Sequence, residues 1–134
     1  MSNDLGTIVV GYLPTDEGLA AFKQAKKWAV ASSARLVVLN TGRNGDYSHA
    51  NFASAQDVDA IDAELREAGI DHAVLQPTDG KGAAEAILAT ATAESADLIV
   101  IGLRRRSPAG KLITGSTAQQ ILLDAACPVL AVKA

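Results

Sequence analysis

Between Gly102 and Thr117 the chain reads Gly-Leu-Arg-Arg-Arg-Ser-Pro-Ala-Gly-Lys-Leu-Ile-Thr-Gly-Ser-Thr. Four of its 12 basic residues, Arg104, Arg105, Arg106 and Lys111, stand there with no acid among them. Gly115, Ser116 and Thr117 then lead into an apolar-periodic segment. A helix opening at that point offers free backbone N–H groups, the positive end of its dipole and small hydroxyls, the chemistry that holds a phosphate or carboxylate. A plainer account of the same residues makes Ser116 a helix cap, Gly102 and Gly115 aids to a tight path, and the arginines a solvated face.

Two phosphate-binding patterns do not fit. A P-loop around Gly110-Lys111 would need glycine where Arg105 stands and a hydroxyl where Leu112 stands. Gly80-Lys-Gly82 with Glu85 lacks the third glycine of the dinucleotide fingerprint and reads as a turn into a helix. Other chemistry-bearing residues are scattered. His49 and His72 lie apart from any ligand-spaced cluster, so no metal is expected. Cys127, the single cysteine, precedes Pro128 and reads as a small buried hydrophobe. No nucleophile, base and orienting acid assemble from the motifs, so no catalytic residue is assigned. Trp28 falls on an apolar helical stripe and reads as core. Tyr12 either lines a site or makes a structural contact.

The elements that must position these residues follow from hydrophobic periodicity. Residues 7–11, 35–40, 72–75, 97–102 and 128–132 are short apolar runs rich in β-branched residues, read as five strands. Most are continuously apolar, which a sheet covered on both faces requires. Stripes through Gly18, Ala21, Phe22, Ala25 and Ala29; Val58, Ile61, Leu65 and Ala68; Ala84, Ile87, Leu88 and Ala91; and Ala118, Ile121, Leu122 and Ala125 predict four helices. Thr15, Asp16 and Glu17 supply a cap and an acidic first turn for the first helix. Strict alternation predicts an α/β, doubly wound, mostly parallel five-stranded sheet of Rossmann-like type. Ligands of such a sheet gather beyond the carboxyl ends of the strands at the topological switch. Residues 41–54 are polar and non-periodic and read as a mobile surface loop.

At 134 residues and 49% hydrophobic content the chain suits one domain, 1–134, with 4% aromatics favouring close-packed helices on a sheet. Its net charge of −3 disfavours nucleic acid and anionic lipid as partners. No leader pattern and no bilayer-length apolar run is seen, so a cytoplasmic protein is expected.

Leu98-Ile-Val-Ile-Gly102, Gly115-Ser116 and Cys127-Pro-Val-Leu-Ala-Val132 resemble the closing part of a universal stress protein. Ile8-Val-Val-Gly-Tyr12, followed by Thr15, Glu17, Gly18 and Ala21, resembles its opening strand and helix, and Leu36-Val-Val-Leu-Asn40 its second strand. The resemblance spans the chain. It implies a homodimer, commonly joined through the last strand, here Pro128–Val132, and a fold in which many members bind ATP and several do not. The family's nucleotide pattern, glycine, two residues, glycine, nine residues, glycine and Ser or Thr, maps onto Gly102, Arg105, Gly115 and Ser116. Arg105 replaces the second glycine, so it either blocks the phosphates or pairs with one. Nucleotide-binding relatives also carry an aspartate after the first strand, where this chain has Leu13-Pro14 before Thr15.

The resemblance thus places an adenine nucleotide between the first and fourth loops. Tyr12, Leu13, Pro14 and Thr15 form one wall, and Asn40 or Thr41 holds the base through main-chain groups. Gly102 allows close approach, Arg104, Arg105, Arg106 and Lys111 supply charge, Gly110 keeps the loop flexible, and Gly115, Ser116 and Thr117 meet the phosphate. Two alternatives stand beside it: an interaction protein of the same fold that binds no nucleotide, and a weak ATP hydrolase, for which the missing aspartate removes a magnesium ligand.

Overall fold

A computed structural model describes residues 6–41, 53–78, 80–103 and 115–134. Five strands, β1 (Thr7–Gly11), β2 (Arg35–Leu39), β3 (His72–Leu75), β4 (Leu98–Leu103) and β5 (Val129–Lys133), alternate with α1 (Asp16–Ser32), α2 (Ala55–Glu67), α3 (Ala83–Ala93) and α4 (Ser116–Asp124). The strands form one all-parallel sheet in the order β3-β2-β1-β4-β5. The chain first winds outward from β1 to β3, then returns beside β1 as β4. The switch point therefore lies between β1 and β4, the two strands whose following loops the sequence singled out.

The apolar runs explain the layering. Ile8, Val10, Leu36, Val38, Leu98 and Val100 face α1 and α2, while Val9, Val37, Leu39, Ile99 and Ile101 face α3 and α4. Both faces of the central strands are thus dry, and each fully buried aliphatic side chain contributes roughly 1.5–3 kcal/mol. Strand ends differ from expectation by one residue where polar chemistry intervenes. Asp97 precedes β4 because its carboxylate accepts from the N–H groups of Gly6 and Thr7, at 2.8 and 3.0 Å. Pro128 has no N–H to give and contributes only its carbonyl, which accepts from Ile99.

Thr15 caps α1, accepting from the Gly18 N–H, and Ser54 with Asp57 forms a capping box on α2. The turn at Gly80–Gly82 leads into α3, with Gly82 as its N-cap. Trp28 corrects an expectation: it is 37% exposed rather than core. Phe22 and Lys26 face α2, where Lys26 pairs with Glu64 at 2.8 Å. Trp28, two residues beyond Lys26, lies about 200° around the helix, on the flank turned away from α2. Cys127 is half-buried, and burial pushes its thiol above the ordinary range. No helix among the described residues is long and apolar enough to cross a membrane.

Candidate functional site

At the carboxyl edge of the sheet a cleft enclosing about 90 Å³ opens between the ends of β2, β1 and β4 and the first turns of α3 and α4. Gly11, Tyr12 and Leu13 form its centre, Leu39 and Thr41 one side, and Ile101, Gly102, Thr117 and Ala118 the other, with Ile87 and Ile121 beneath. No charged side chain lines it among the described residues. Its polar character comes from backbone and from threonines.

The helix starts divide into two kinds. Those of α1 and α2 are closed by side chains, whereas α3 and α4 begin on Gly82 and Gly115 with no side-chain cap. The two uncapped helices are those whose first turns, at Ala83 and at Thr117 and Ala118, border the cleft. Leading amides that no side chain among the described residues caps suit a ligand anion, and the aligned helix dipoles favour negative charge at the same place.

The two motif glycines have different surroundings. A Cβ on Gly102 would stand 2.1 Å from the carbonyl oxygen of Glu17 in α1. Gly102 therefore lets the first turn of α1 approach β4. Gly18 lets the same turn of α1 lie against the end of the β1–α1 connection, since a Cβ there would lie 2.0 Å from the Leu13 carbonyl. Gly115 is exposed, has φ −65° and ψ 164°, which any residue adopts, and has no described atom within 4 Å of a notional Cβ. Nothing in the described fold demands glycine there.

Asn40 is only 1% exposed and does not line the cleft. Its side chain donates to the Tyr12 carbonyl at 2.9 Å and accepts from the Ala53 N–H at 2.8 Å and from Gln76 at 3.0 Å. Its own N–H donates to the Leu75 carbonyl. Asn40 is thus a latch joining the ends of β1, β2 and β3 to the start of α2; of the polar segment 41–54, read as a mobile loop, residues 42–52 lie outside the described residues. The adjacent Thr41 does reach the cleft. Tyr12 fills both roles left open for it. It lines the cleft and packs edge-on against Phe22, with ring centroids 5.9 Å apart. Burial pushes its phenol up, aided by the nearby Asp57 carboxylate.

Of the expected site residues, the structure brings together Tyr12, Leu13, Thr41, Gly102 and Thr117 around the cleft, with Gly115 and Ser116 at its α4 border. Ser116 is the first residue of α4 and Gly115 its cap, so Ser116 is not the cap the plainer account required. Pro14 and Thr15 belong to the start of α1 and do not line the cleft. Arg104, Arg105, Arg106, Gly110 and Lys111, like His49, lie outside the described residues. The floor residues Leu39, Ile87, Ile101 and Ile121, and Ala83 at the start of α3, were not foreseen; the apolar runs and stripes contain the first four, but only the strand order makes them neighbours. His72 is remote from the cleft. Its Nδ1 meets the Ile70 carbonyl and its Nε2 the Asp62 carboxylate, both at 2.7 Å.

The family model for the universal stress protein family matches residues 5–133. The chain belongs to the universal stress protein family. A universal stress protein of Mycolicibacterium smegmatis is 39% identical over 126 residues, covering 94% of this chain and 96% of that one. The solved structure of a universal stress protein from Archaeoglobus fulgidus superposes with a TM-score of 0.78 at 25% identity, covering 96% and 98% of the two chains. Another from the same organism, solved in complex with dAMP, superposes with a TM-score of 0.67 at 18% identity over 96% and 98%. As a member of this family the chain is a stress-response protein with a Rossmann-like α/β fold.

Proposed function

We propose that this universal stress protein binds an adenine nucleotide in the cleft at the β1–β4 switch and acts as a homodimer in the cytoplasm. The observation that carries the nucleotide reading is the convergence of two helix starts without side-chain caps on one apolar cleft. The apolar floor suits a base, and the amides at Gly115, Ser116 and Thr117 suit phosphate. Thr41, at the end of β2, stands where main-chain groups would meet the base. The dAMP held by a protein of the same fold supports the same ligand class.

The dimer reading rests on the sheet edge. β5 is an outer strand whose Val129, Leu130, Ala131 and Val132 are only half-buried, and on α4 Leu122 and Leu123 are 48% and 83% exposed. An apolar strand whose outer edge has no partner strand among the described residues, together with the exposed leucines, is a surface that a second copy would cover. Trp28, on the α1 flank away from α2, is the sole tryptophan and would report that contact by a blue shift of its emission.

Native mass spectrometry of gently purified protein, followed by titration with ATP, ADP and AMP with and without magnesium, tests the nucleotide reading. Retained or titratable nucleotide upholds it. No binding at about 1 mM, where roughly −4 kcal/mol suffices for half-saturation, removes it. In that event Leu13 and the uncharged lining favour the interaction protein that needs no nucleotide. Sedimentation tests the dimer separately: wild type should sediment as a dimer, and Leu123→Asp should shift it toward monomer without altering the circular dichroism.

A further inference from the structure

The edge of the sheet opposite β5 is thinly covered. β3 has four residues, none of them fully buried, and among the described residues it pairs only with β2. α2, which leads into it through Gly69 at φ 72°, buries only Ile61 and Leu65. Residues 8–10 of β1 and 98–101 of β4, by contrast, are closed off from water. Segments with few buried apolar side chains are those that open without the rest of the fold. Whatever ties α2 to β3 therefore governs this edge.

That tie is His72, the first residue of β3, whose side chain is 11% exposed. Its Nδ1 lies 2.7 Å from the Ile70 carbonyl in the turn, and its Nε2 lies 2.7 Å from Oδ1 of Asp62 on α2. A carbonyl only accepts, so Nδ1 carries a proton. The other oxygen of Asp62 accepts from Arg66, one turn further along α2, so the carboxylate is held ionised between two donors and Nε2 carries a proton as well. A neutral imidazole has one N–H, and this arrangement needs two. Removing a proton sets a bare ring nitrogen against an oxygen at 2.7 Å. The Ile70 carbonyl and then Asp62 favour the charged ring, against burial and the charge of Arg66. Other charges at this edge are engaged elsewhere: His72 stands in register with Leu36 of β2, Arg35 pairs with Glu94 and reaches Asp71 at 3.9 Å, and Glu64 pairs with Lys26.

We infer that α2 and β3 open as one unit, that the second proton of the His72 ring holds this unit shut, and that loss of the proton in mild alkali uncovers the outer edge of β2. A histidine whose pKa is raised by closure stabilises the closed edge fully below about pH 6.5 and ceases to do so as pH rises through the closed-state value. Asp62 is lowered, first by its bond to His72, so its contribution is present above about pH 3.9 and is lost only as pH falls through its closed-state value. The clamp is thus fully made between about pH 4 and 6.5 and is released above that window. On opening, β2 becomes an outer strand and Leu36 and Val38, buried beneath α1 and α2, lose part of their cover. A bare apolar strand edge is a surface for pairing with another chain.

Two measurements on the full chain test this together. NMR of the His72 ring nitrogens gives the pH at which the second proton leaves. Amide hydrogen exchange read by mass spectrometry gives the protection of α2 and β3 relative to β1 and β4, corrected for intrinsic exchange rates. Both ring nitrogens should be protonated at about pH 6, with a midpoint above about 6.5. Between about pH 6 and 9, protection over α2 and β3 should fall relative to β1 and β4 by about tenfold for each unit by which the midpoint exceeds 6.5. His72→Gln, which does not titrate in this range, should abolish the fall. Asp62→Asn, which keeps an acceptor and removes the charge, should lower the midpoint and shrink the fall, and it carries the test if the first variant does not fold. A ring with one proton at about pH 6, a fall shared equally by β1 and β4, or a fall that a folded variant leaves unchanged overturns the inference.

Discussion

Gly102 and Gly115 stand in one motif, on the same flank of the cleft, yet their surroundings are opposite. At Gly102 the backbone of α1 is so near that a Cβ would meet the Glu17 carbonyl at 2.1 Å. At Gly115 the described surroundings are open and the backbone angles are available to any residue. A shared motif therefore joins a glycine needed for packing to one that the described packing does not require. The Gly102 end of the motif is scaffold; in the proposed reading the Gly115 end is the mouth.

Substitution at each end should break the comparison if it is wrong. Gly102→Ala is expected to cost about 3 kcal/mol or more, because the opposing atom is backbone and cannot rotate away. Chemical denaturation would measure it, and near-wild-type stability would mean that α1 yields. Next in size, Asn40→Ala strands the Tyr12 carbonyl and the Ala53 N–H behind the cleft, at a cost of about 2–4 kcal/mol. That places the β2 end with the scaffold, and a neutral result in the same unfolding experiment would return Asn40 to the mouth. At the open end, Gly115→Ser should raise stability by a few tenths of a kcal/mol, because serine is the better N-cap. Its hydroxyl would take the same first-turn amides that a phosphate needs.

The smallest effect lies away from both ends. His72 is held above its ordinary pKa, chiefly because the Ile70 carbonyl accepts from the ring and further because Asp62 faces it, while burial opposes. Asp62, in turn, is lowered first by its bond to His72 and then aided by Arg66. A raised histidine stabilises the fold below its unfolded pKa of about 6.5 and loses that contribution as pH rises through the folded value. Melting temperatures of wild type and His72→Asn should thus differ more at pH 6 than at pH 8. Nucleotide affinity should be unchanged by the substitution.

Much of the scaffold was legible in sequence. Continuous Val, Ile and Leu runs marked all five strands, and the alternation with helices predicted the parallel sheet and its switch. Trp28 was misread because seven residues are not two whole turns. It drifts about 20° from Ala21 per heptad, toward the flank of the stripe that Ala21, Ala25 and Ala29 keep buried. Gly102 was read as making room for a ligand because sequence shows a glycine's freedom but not which backbone uses it. Leu39, Ile101 and Ile121 were visible only as apolar residues, and the crossing order of β2, β1 and β4 made them one floor.

The central claim is that the α4 start is a ligand mouth and not a structural end, and Gly115→Asp tests it most directly. An aspartate cap should hold or raise the melting temperature through its bond to the first turn and its favourable place at the dipole. The same carboxylate would occupy the phosphate position and repel the anion. The account predicts a folded variant, at least as stable as wild type, that no longer binds AMP in calorimetry. A stable variant that binds AMP as tightly as wild type would contradict it.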